Sequence, residues 1–346
     1  MNRSDAASLE RRIAAWLAHR IGVGAIEVEG LARIPGGASR ETYRFLARWE
    51  IEGTLAERNL ILRRDPPSSL IETRRSREFA ALKAFHGSAV PVPDVLYIEE
   101  DSAWLERPFF VMEEIAGGLT DGRLFETPAF AAVKAEIGRQ KWTILGRIAA
   151  ANPAALRLVG PLEPCGLDRI WSRELDYWEA VIDADALTPQ PIGRAAIRWL
   201  RRYPPPPAQR LVVVHGDYRT GNFLFDVGGG IRGILDWEMC HLGDPLEDVA
   251  WALNPLWAGA DPGRPGRLIP RADALALWQT SSGLAIDVAA LHWWEIFAMV
   301  KGLAIWLSAA KELAEGRSGE LILALAGWLA TSEQDHFLLQ AMGHAA

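Results

Sequence analysis

The residues best suited to chemistry lie in Val213-Val214-His215-Gly216-Asp217-Tyr218-Arg219-Thr220-Gly221-Asn222, followed downstream by Asp236-Trp237-Glu238. An apolar run ends at His215, and the loop after it carries Asp217 and Asn222 five residues apart. Two further short runs, Phe223–Asp226 and Ile231–Leu235, read as strands, and the second leads into Asp236. A carboxylate and an amide on one loop, facing a second carboxylate at a neighbouring strand end, can divide two tasks. Asp217 can orient a hydroxyl nucleophile or take its proton, while Asn222 and Asp236 offer hard oxygen ligands to Mg²⁺. Asparagine suits the second task because it ligates without adding negative charge beside a polyphosphate. Each residue also has a plainer reading. Asp, Gly and Asn between strands are what any turn requires, and His215 suits hydrogen bonding to backbone carbonyls better than general-base work.

What raises these residues above a turn is the first third of the chain. Pro35-Gly36-Gly37-Ala38-Ser39 lies between two expected strands, Ile26–Ile34 and Thr42–Ile51, where backbone N–H groups can approach phosphate oxygens. A third strand, Asn59–Arg64, carries Leu60-Ile61-Leu62-Arg63 and so ends an apolar run in a cation, as the lysine-bearing strand of kinases does. Glu78 follows on a helix expected over Glu72–Phe85, where it can pair with that cation and hold it toward phosphates. Glycine loop, strand cation, helix glutamate and then Asp…Asn…Asp form an ordered set that chance rarely supplies.

The elements that must position these groups fall into two regions. A helix over Ser4–Ala18, the three strands, the Glu72–Phe85 helix, and strands at Asp94–Glu99 and Phe109–Ile115 make a small sheet-rich part. After Gly117-Gly118, apolar-periodic segments at Phe130–Ala151, Leu167–Ile182, Ile192–Tyr203, Leu275–Gly283, Val288–Ala310 and Glu320–Met342 point to helices, with the short strands as an island among them. The fold class is therefore α+β, with a boundary near Ala116–Asp121 where a ligand cleft is favoured. The expected division is 1–116 and 117–346. A length of 346 residues fits two domains of about 150 residues each.

Composition narrows the function. With 37 Lys and Arg against 44 Asp and Glu, the net charge of −7 lacks the basic footprint of a nucleic-acid binder. Two cysteines, Cys165 and Cys240, are too few for a disulfide scaffold or a four-cysteine zinc site, and favour a reducing, cytoplasmic setting. Met1–Arg20 holds Asp5, Glu10 and Arg11-Arg12 with no uninterrupted apolar core, so no signal peptide or membrane association is expected. Val288–Ala310 is interrupted by His292, Glu295 and Lys301 and reads as a buried helix.

The chain resembles the aminoglycoside phosphotransferase and choline kinase-like family, most closely its branch of stand-alone proteins and proteins fused to acyl-CoA dehydrogenases. The resemblance rests on Gly36–Tyr43, Leu60–Pro66, Arg77-Glu78-Phe79, Pro108–Glu113, His215–Asn222, Asp236-Trp237-Glu238, Gly243-Asp244-Pro245 with Asp248, and Trp293–Phe297 with Lys301. It implies a two-lobed protein-kinase-like fold, with a small β-rich N-lobe, a larger helical C-lobe and a hinge near 112–118. It implies ATP and Mg²⁺ as cofactors, Asp217 as the catalytic aspartate, and Asn222 and Asp236 as magnesium ligands. Gly36, Gly37, Ala38 and Ser39 would cover the phosphates, Arg63 would bind them, and Glu78 would steady that cation. Met112, Glu113 and Ile115 would read the adenine base. Asp244 and Asp248 would cap a helix and brace the catalytic loop. Two departures stand out. The phosphate-binding lysine of many relatives is Arg63, with Arg64 as a rival, and Arg40 stands where relatives often carry asparagine.

Taken together, these features predict a small-molecule kinase that moves the γ-phosphoryl group of Mg-ATP to a hydroxyl. A non-catalytic nucleotide sensor on the same fold is the alternative, motivated by Arg40 and Arg63. A third reading is a metal-dependent hydrolase built on His215, Asp217 and Asp236. For the acceptor, Asp176, Glu179, Asp183 and Glu295 could receive a polycation, whereas Trp178, Trp293, Trp294 and Phe297 suggest an apolar pocket. The expectation is an apolar hydroxylated metabolite, a hydroxy-acyl compound being one such.

Overall fold

The structure is a computed structural model and describes residues 3–34, 40–51, 53–66, 74–317 and 321–343. The chain divides into two compact units, one made of Met1–Lys83 and Pro93–Ala116, the other of Ala84–Val92 and Gly117–Ala346.

The first unit begins with α1 (Arg3–Ile21), followed by β1 (Glu27–Ile34), β2 (Glu41–Ile51), β3 (Thr54–Arg64), α2 (Arg75–Phe85), β4 (Val95–Glu99), α3 (Ser102–Leu105) and β5 (Phe109–Glu113). The five strands form one antiparallel sheet in the order β1-β2-β3-β5-β4. Alternation along β2 turns Tyr43, Phe45, Ala47 and Trp49 to one face, where they bury with Leu60 and Leu62 against Leu9, Ile13, Trp16 and Leu17 of α1. Trp16 donates its indole N–H to Glu99 at 2.9 Å, which satisfies its one polar atom at the rim of the cluster. The same alternation sends Arg64 to the side of Leu60 and Leu62, and Arg63 to the opposite side with Ile61. Strand β3 starts five residues earlier than the apolar run suggested, because its polar first half pairs with β2 from Thr54 onward.

The second unit holds α4 (Lys134–Ala150), α5 (Ile170–Asp185), α6 (Pro191–Arg202), β6 (Val212–Val214), β7 (Phe223–Phe225), β8 (Ile231–Ile234), β9 (His241–Gly243), α7 (Pro245–Leu253), α8 (Arg271–Ser282), α9 (Val288–Ala314), α10 (Leu321–Leu325) and α11 (Thr331–Ala341). Strand β6 pairs with β9 and β7 with β8, each antiparallel. Helix α9 is the central post, packed by α5, α6, α7, α10 and α11. It is long and apolar enough to cross a membrane, and 72% of that apolar stretch is buried inside the protein.

The carboxy-terminal helical segment is not continuous. A π-turn at Ala326–Ala330 separates α10 from α11, and Thr331 Oγ1 donates to the Gly327 carbonyl at 2.7 Å within it. Trp328 on that turn is 75% exposed, so not every tryptophan of this region fills the interior. Trp178, Trp293, Trp294 and Phe297 do. All four are buried, Trp293 stacks on Phe297 at 5.8 Å, and its indole N–H donates to the Leu200 carbonyl. They form the packed interior around α9.

Candidate active site

The loop that leaves β6 at His215 is clamped from below. Asp248 of α7 accepts the backbone N–H of His215 at 2.6 Å and of Gly216 at 2.9 Å. Lys301 of α9 donates to the Gly216 carbonyl at 2.7 Å. Gly216 has φ of 88°, and a Cβ there would lie 2.5 Å from the Met239 carbonyl oxygen, so only glycine fits between these restraints. The His215 ring uses both nitrogens. Nε2 lies 2.9 Å from the Leu235 carbonyl and Nδ1 accepts the Asp217 backbone N–H at 3.2 Å, which assigns the neutral tautomer with the proton on Nε2. Burial pushes this imidazole down to about 4, so it stays neutral, and with both nitrogens engaged it has none left to act as a base or to ligate a metal. The hydrolase reading, which needed His215 in one of those roles, loses its histidine.

Asp217 itself is part-buried, with 16% of its side chain exposed. Trp251 donates its indole N–H to Oδ1 at 2.7 Å and Asn222 donates Nδ2 to Oδ2 at 2.6 Å. Burial raises the Asp217 pKa, Arg219 opposes it, and the charge of Asp236 adds to it. Asn222 also donates to the Asp217 carbonyl at 3.0 Å, so its amide nitrogen is committed and its oxygen points the other way. The carbonyl of Asn222 accepts Leu235 N–H at 2.8 Å, extending the β7–β8 pairing by one step and bringing Asp236 beside it. Asp236 adopts the left-handed region, φ 66° and ψ 56°, a conformation that aspartate tolerates better than most residues and that is common where a side chain must be aimed. Trp237, fully buried against His215 and Phe85, pins the following turn.

Behind this loop runs a buried charge network. Lys301 pairs with Glu247 at 3.2 Å, and the other Glu247 oxygen lies 3.0 Å from His241 Nε2. Burial alone would lower His241, but Glu174 and Glu247 raise it to about 9. Burial alone would raise Glu247, but His241 and Lys301 hold it at about 2. Glu174, His241 and Glu247 are close enough to cage a cation. Lys301 and Arg173, which bonds Glu174 at 2.9 Å, already supply the positive charge there. Asp244 accepts Leu246 N–H at 2.8 Å and caps α7.

In the first unit Arg63 Nη1 lies 3.3 Å from Glu78, whose carboxylate is fully buried. Arg64, on the other face of β3, is spent on Glu41 at 2.6 Å and on the Leu105 carbonyl at 3.1 Å. Strand alternation therefore decides between the two arginines as partner of Glu78. Arg40 adds a connection that sequence spacing could not supply: its Nε bonds Glu78 at 3.0 Å and its Nη1 pairs with Asp65, which also pairs with Arg75. At the end of β5, Met112 is buried opposite Ile61, and the N–H groups of Glu113 and Glu114 are taken up by the Asp94 and Asn59 carbonyls. Ile115 is the second residue beyond that strand. Gly36, Gly37, Ala38 and Ser39 lie outside the described residues.

The acidic residues weighed for a polycationic acceptor are engaged in ion pairs. Asp176 and Glu179 meet Arg201, Asp183 meets Arg194, and Glu295 meets Arg271.

Residues 30–284 match the phosphotransferase enzyme family, and the chain belongs to that family. It is 29% identical over 202 residues to acyl-CoA dehydrogenase family member 10 of Mus musculus, a stretch covering 57% of this chain and 18% of that protein. It is 28% identical over 224 residues to viomycin phosphotransferase of Streptomyces vinaceus, covering 62% of this chain and 70% of that one. The match thus spans less than a fifth of the dehydrogenase-family relative. Among solved structures, a Ralstonia eutropha protein classed with the aminoglycoside phosphotransferases aligns with a TM-score of 0.72 at 20% identity, over 97% of this chain and 99% of that one. A ternary complex of aminoglycoside phosphotransferase APH(4)-Ia with AMP-PNP and hygromycin B aligns at 0.61 and 18% identity, over 96% and 99%. The fold is the kinase-like α+β fold of these phosphotransferases.

Proposed function

We propose that this member of the phosphotransferase family is an ATP-dependent small-molecule kinase that transfers the γ-phosphoryl group to a hydroxyl. The observation that carries the reading is the coupling of Asp217 to Asn222 with Asp236 alongside. One carboxylate is placed to take a hydroxyl proton, while an amide oxygen and a second carboxylate are of the oxygen type that Mg²⁺ takes. That donor set fits Mg²⁺, which takes one or two protein oxygens and completes its shell with phosphate and water. Bound there by Asn222 and Asp236, the ion would neutralise charge on the nucleotide phosphates. Asp217 orients the acceptor hydroxyl and takes its proton. Arg63, steadied by Glu78, is the proposed phosphate-binding cation, and Gly36–Ser39 the proposed phosphate loop. Met112, Glu113 and Ile115 are the proposed base-reading stretch. Positioning and charge neutralisation supply most of the rate in such a transfer.

The acceptor we infer is a small hydroxylated molecule with an apolar, acyl-type body. Support for the apolar body now comes from Trp257 and Trp306, both half-buried and in contact at 6.3 Å, the first touching Trp251 beside Asp217. The test is a thermal shift with ATP, with and without Mg²⁺, beside Asp236→Ala, followed by ADP release from hydroxylated compounds. Nucleotide at about 100 times its dissociation constant adds about 2.7 kcal/mol. The expected shift requires magnesium and is lost in the variant, and Asp217→Asn abolishes ADP release while keeping the shift. A shift indifferent to both magnesium and Asp236 supports the sensor reading, and no shift with any nucleotide refutes the kinase.

A further inference from the structure

The roles proposed above leave Arg219 unused, although it sits against the reacting carboxylate. Its Nε lies 3.1 and 3.3 Å from the two oxygens of Asp217. Its guanidinium carbon stands 5.1 Å from the centre of the Trp257 ring. Trp257 donates its indole N–H to the Trp251 carbonyl at 3.1 Å, and Trp251 donates its own to Asp217 at 2.7 Å. Arg219, Asp217, Trp251 and Trp257 thus close a ring of contacts that fixes the guanidinium on both its edge and its face. Gly221 belongs to the same device: its φ is 114°, and a Cβ there would start 2.7 Å from Arg219 Nη1. A side chain is strained at that φ and would push the Nη1 end from its place.

The outer end of the side chain is not consumed by these contacts. Nη1 makes one long contact, 3.4 Å to the Thr220 carbonyl, and Nη2 has no hydrogen bond or ion pair among the described residues. Arginine carries much rotamer entropy, and a guanidinium already held over a ring and by an Nε contact has lost most of it before any ligand arrives. A fixed fork of N–H donors with a free end matches the oxygens of a phosphoryl group. The charge balance points the same way. Asp217 and Asp236 place two carboxylates near a group whose three equatorial oxygens already share negative charge during transfer, and Arg219 is the cation bonded to the first of them.

We propose that Arg219 is a catalytic residue whose Nη end bears the negative charge of the phosphoryl group as it passes to the hydroxyl beside Asp217. The inference rests on the phosphotransfer reading. In that step the acceptor oxygen bonds to phosphorus as the bond to the bridging oxygen breaks. The electron pair of the broken bond leaves with ADP, the hydroxyl proton passes to Asp217, and Arg219 stays protonated throughout.

The experiment needs no identified acceptor. Binding of Mg·ADP is measured by calorimetry with and without fluoroaluminate, a planar mimic of the phosphoryl group in flight, for wild type, Arg219→Gln and Arg219→Lys. Wild type gains roughly 100-fold in Mg·ADP affinity with fluoroaluminate. Arg219→Gln loses that gain while its affinity for Mg·ADP alone stays within about twofold, and Arg219→Lys keeps part of it because the charge remains without the planar fork. Should the glutamine variant fail to fold, a partial gain in the lysine variant supports the inference and a full gain overturns it. A glutamine variant that keeps the whole gain overturns the inference, as does one that loses Mg·ADP affinity in equal measure, since Arg219 is then only a brace. Wild type that binds Mg·ADP without any gain from fluoroaluminate overturns the inference alone. Wild type that binds no Mg·ADP overturns the phosphotransfer reading, and this inference with it.

Discussion

Replacing Lys301 by methionine tests whether the charge network behind the His215–Asn222 loop holds that loop in place. The ammonium is 2% exposed and its partner Glu247 is 1% exposed. It is flanked by the rings of Trp251 at 5.1 Å and Trp178 at 5.6 Å. Methionine keeps the length of the side chain but leaves Glu247 facing His241 alone and the Gly216 carbonyl without its donor. Breaking a buried pair by removing one partner costs about 3–5 kcal/mol, and an orphaned carbonyl costs about 1–3 kcal/mol. The two losses share one ammonium and overlap, so the expected total is about 4 kcal/mol. That is a large part of the roughly 5–15 kcal/mol that holds a protein folded. Urea unfolding reads it as a lower midpoint at unchanged slope. The double variant Lys301→Met with Glu247→Gln removes both charges and recovers about half of the loss, because the residual penalty is no longer a bare carboxylate. Turnover falls in the single variant because Gly216 precedes Asp217, whereas Mg·ATP affinity is little changed. A cost below about 1 kcal/mol at unchanged slope would refute the claim that Lys301 clamps the loop.

Gly216→Ala forces a Cβ toward the Met239 carbonyl in a left-handed backbone, so it costs about 3 kcal/mol by urea midpoint and lowers kcat; a loss within about 0.5 kcal/mol would show that the contact is slack. The raised pKa of His241 has a definite sign. Its stabilisation is fully present below pH 6.5 and is lost as pH rises through about 9. The melting-temperature gap between wild type and His241→Gln is therefore widest near pH 6 and closes by pH 10. Glu247 acts at the other end: its stabilisation is present above its ordinary value of 4.5 and is lost toward about 2, so the scan stays above pH 5. A gap that is flat from pH 6 to pH 10 would show that His241 is neutral in the folded protein.

How legible a feature was depended on how locally it is built. Asp217, Asn222 and Asp236 could be read from spacing because a single hairpin brings them together: β7 and β8 pair residue by residue, and the Leu235–Asn222 bond is one more rung. The division between Arg63 and Arg64 was encoded in strand alternation but needed to be known as a sheet with α1 on one face. Arg40 could not be anticipated at all, since its approach to Glu78 spans 38 residues and two elements. Lys301 was noticed as part of a motif, but its bond to Gly216, 85 residues away, depends on how α9 packs. The carboxylates on α5 and α9 were ambiguous for the same reason. Their arginines lie on α6 and α8, and a helical wheel shows a charged face without its partners. Trp251 was missed because its position within α7 reads as core, which it is, while its one polar atom reaches the Asp217 carboxylate.

Trp251 also bears on how a desolvated Asp217 could act as the proposed base. Burial and Asp236 both favour the protonated form of Asp217, and a carboxyl protonated before the reaction begins cannot take a hydroxyl proton. Three donors act against this, the guanidinium of Arg219, the indole of Trp251 and the amide of Asn222. Only one of the three is charged, and that guanidinium shares a single Nε–H between the two oxygens at 3.1 and 3.3 Å. A lysine directly on Asp217 would hold it more firmly ionised and make it a poorer acceptor. The structure instead puts Lys301 over the Trp251 ring, 5.1 Å from its centre, where it also donates to the Gly216 carbonyl. An indole can do both, because its face attracts a cation while its edge N–H still donates. Trp251→Phe keeps the ring contact with Lys301 and deletes only the bond to Asp217. It is therefore the substitution that separates the two functions of this residue, leaving stability nearly intact and lowering kcat.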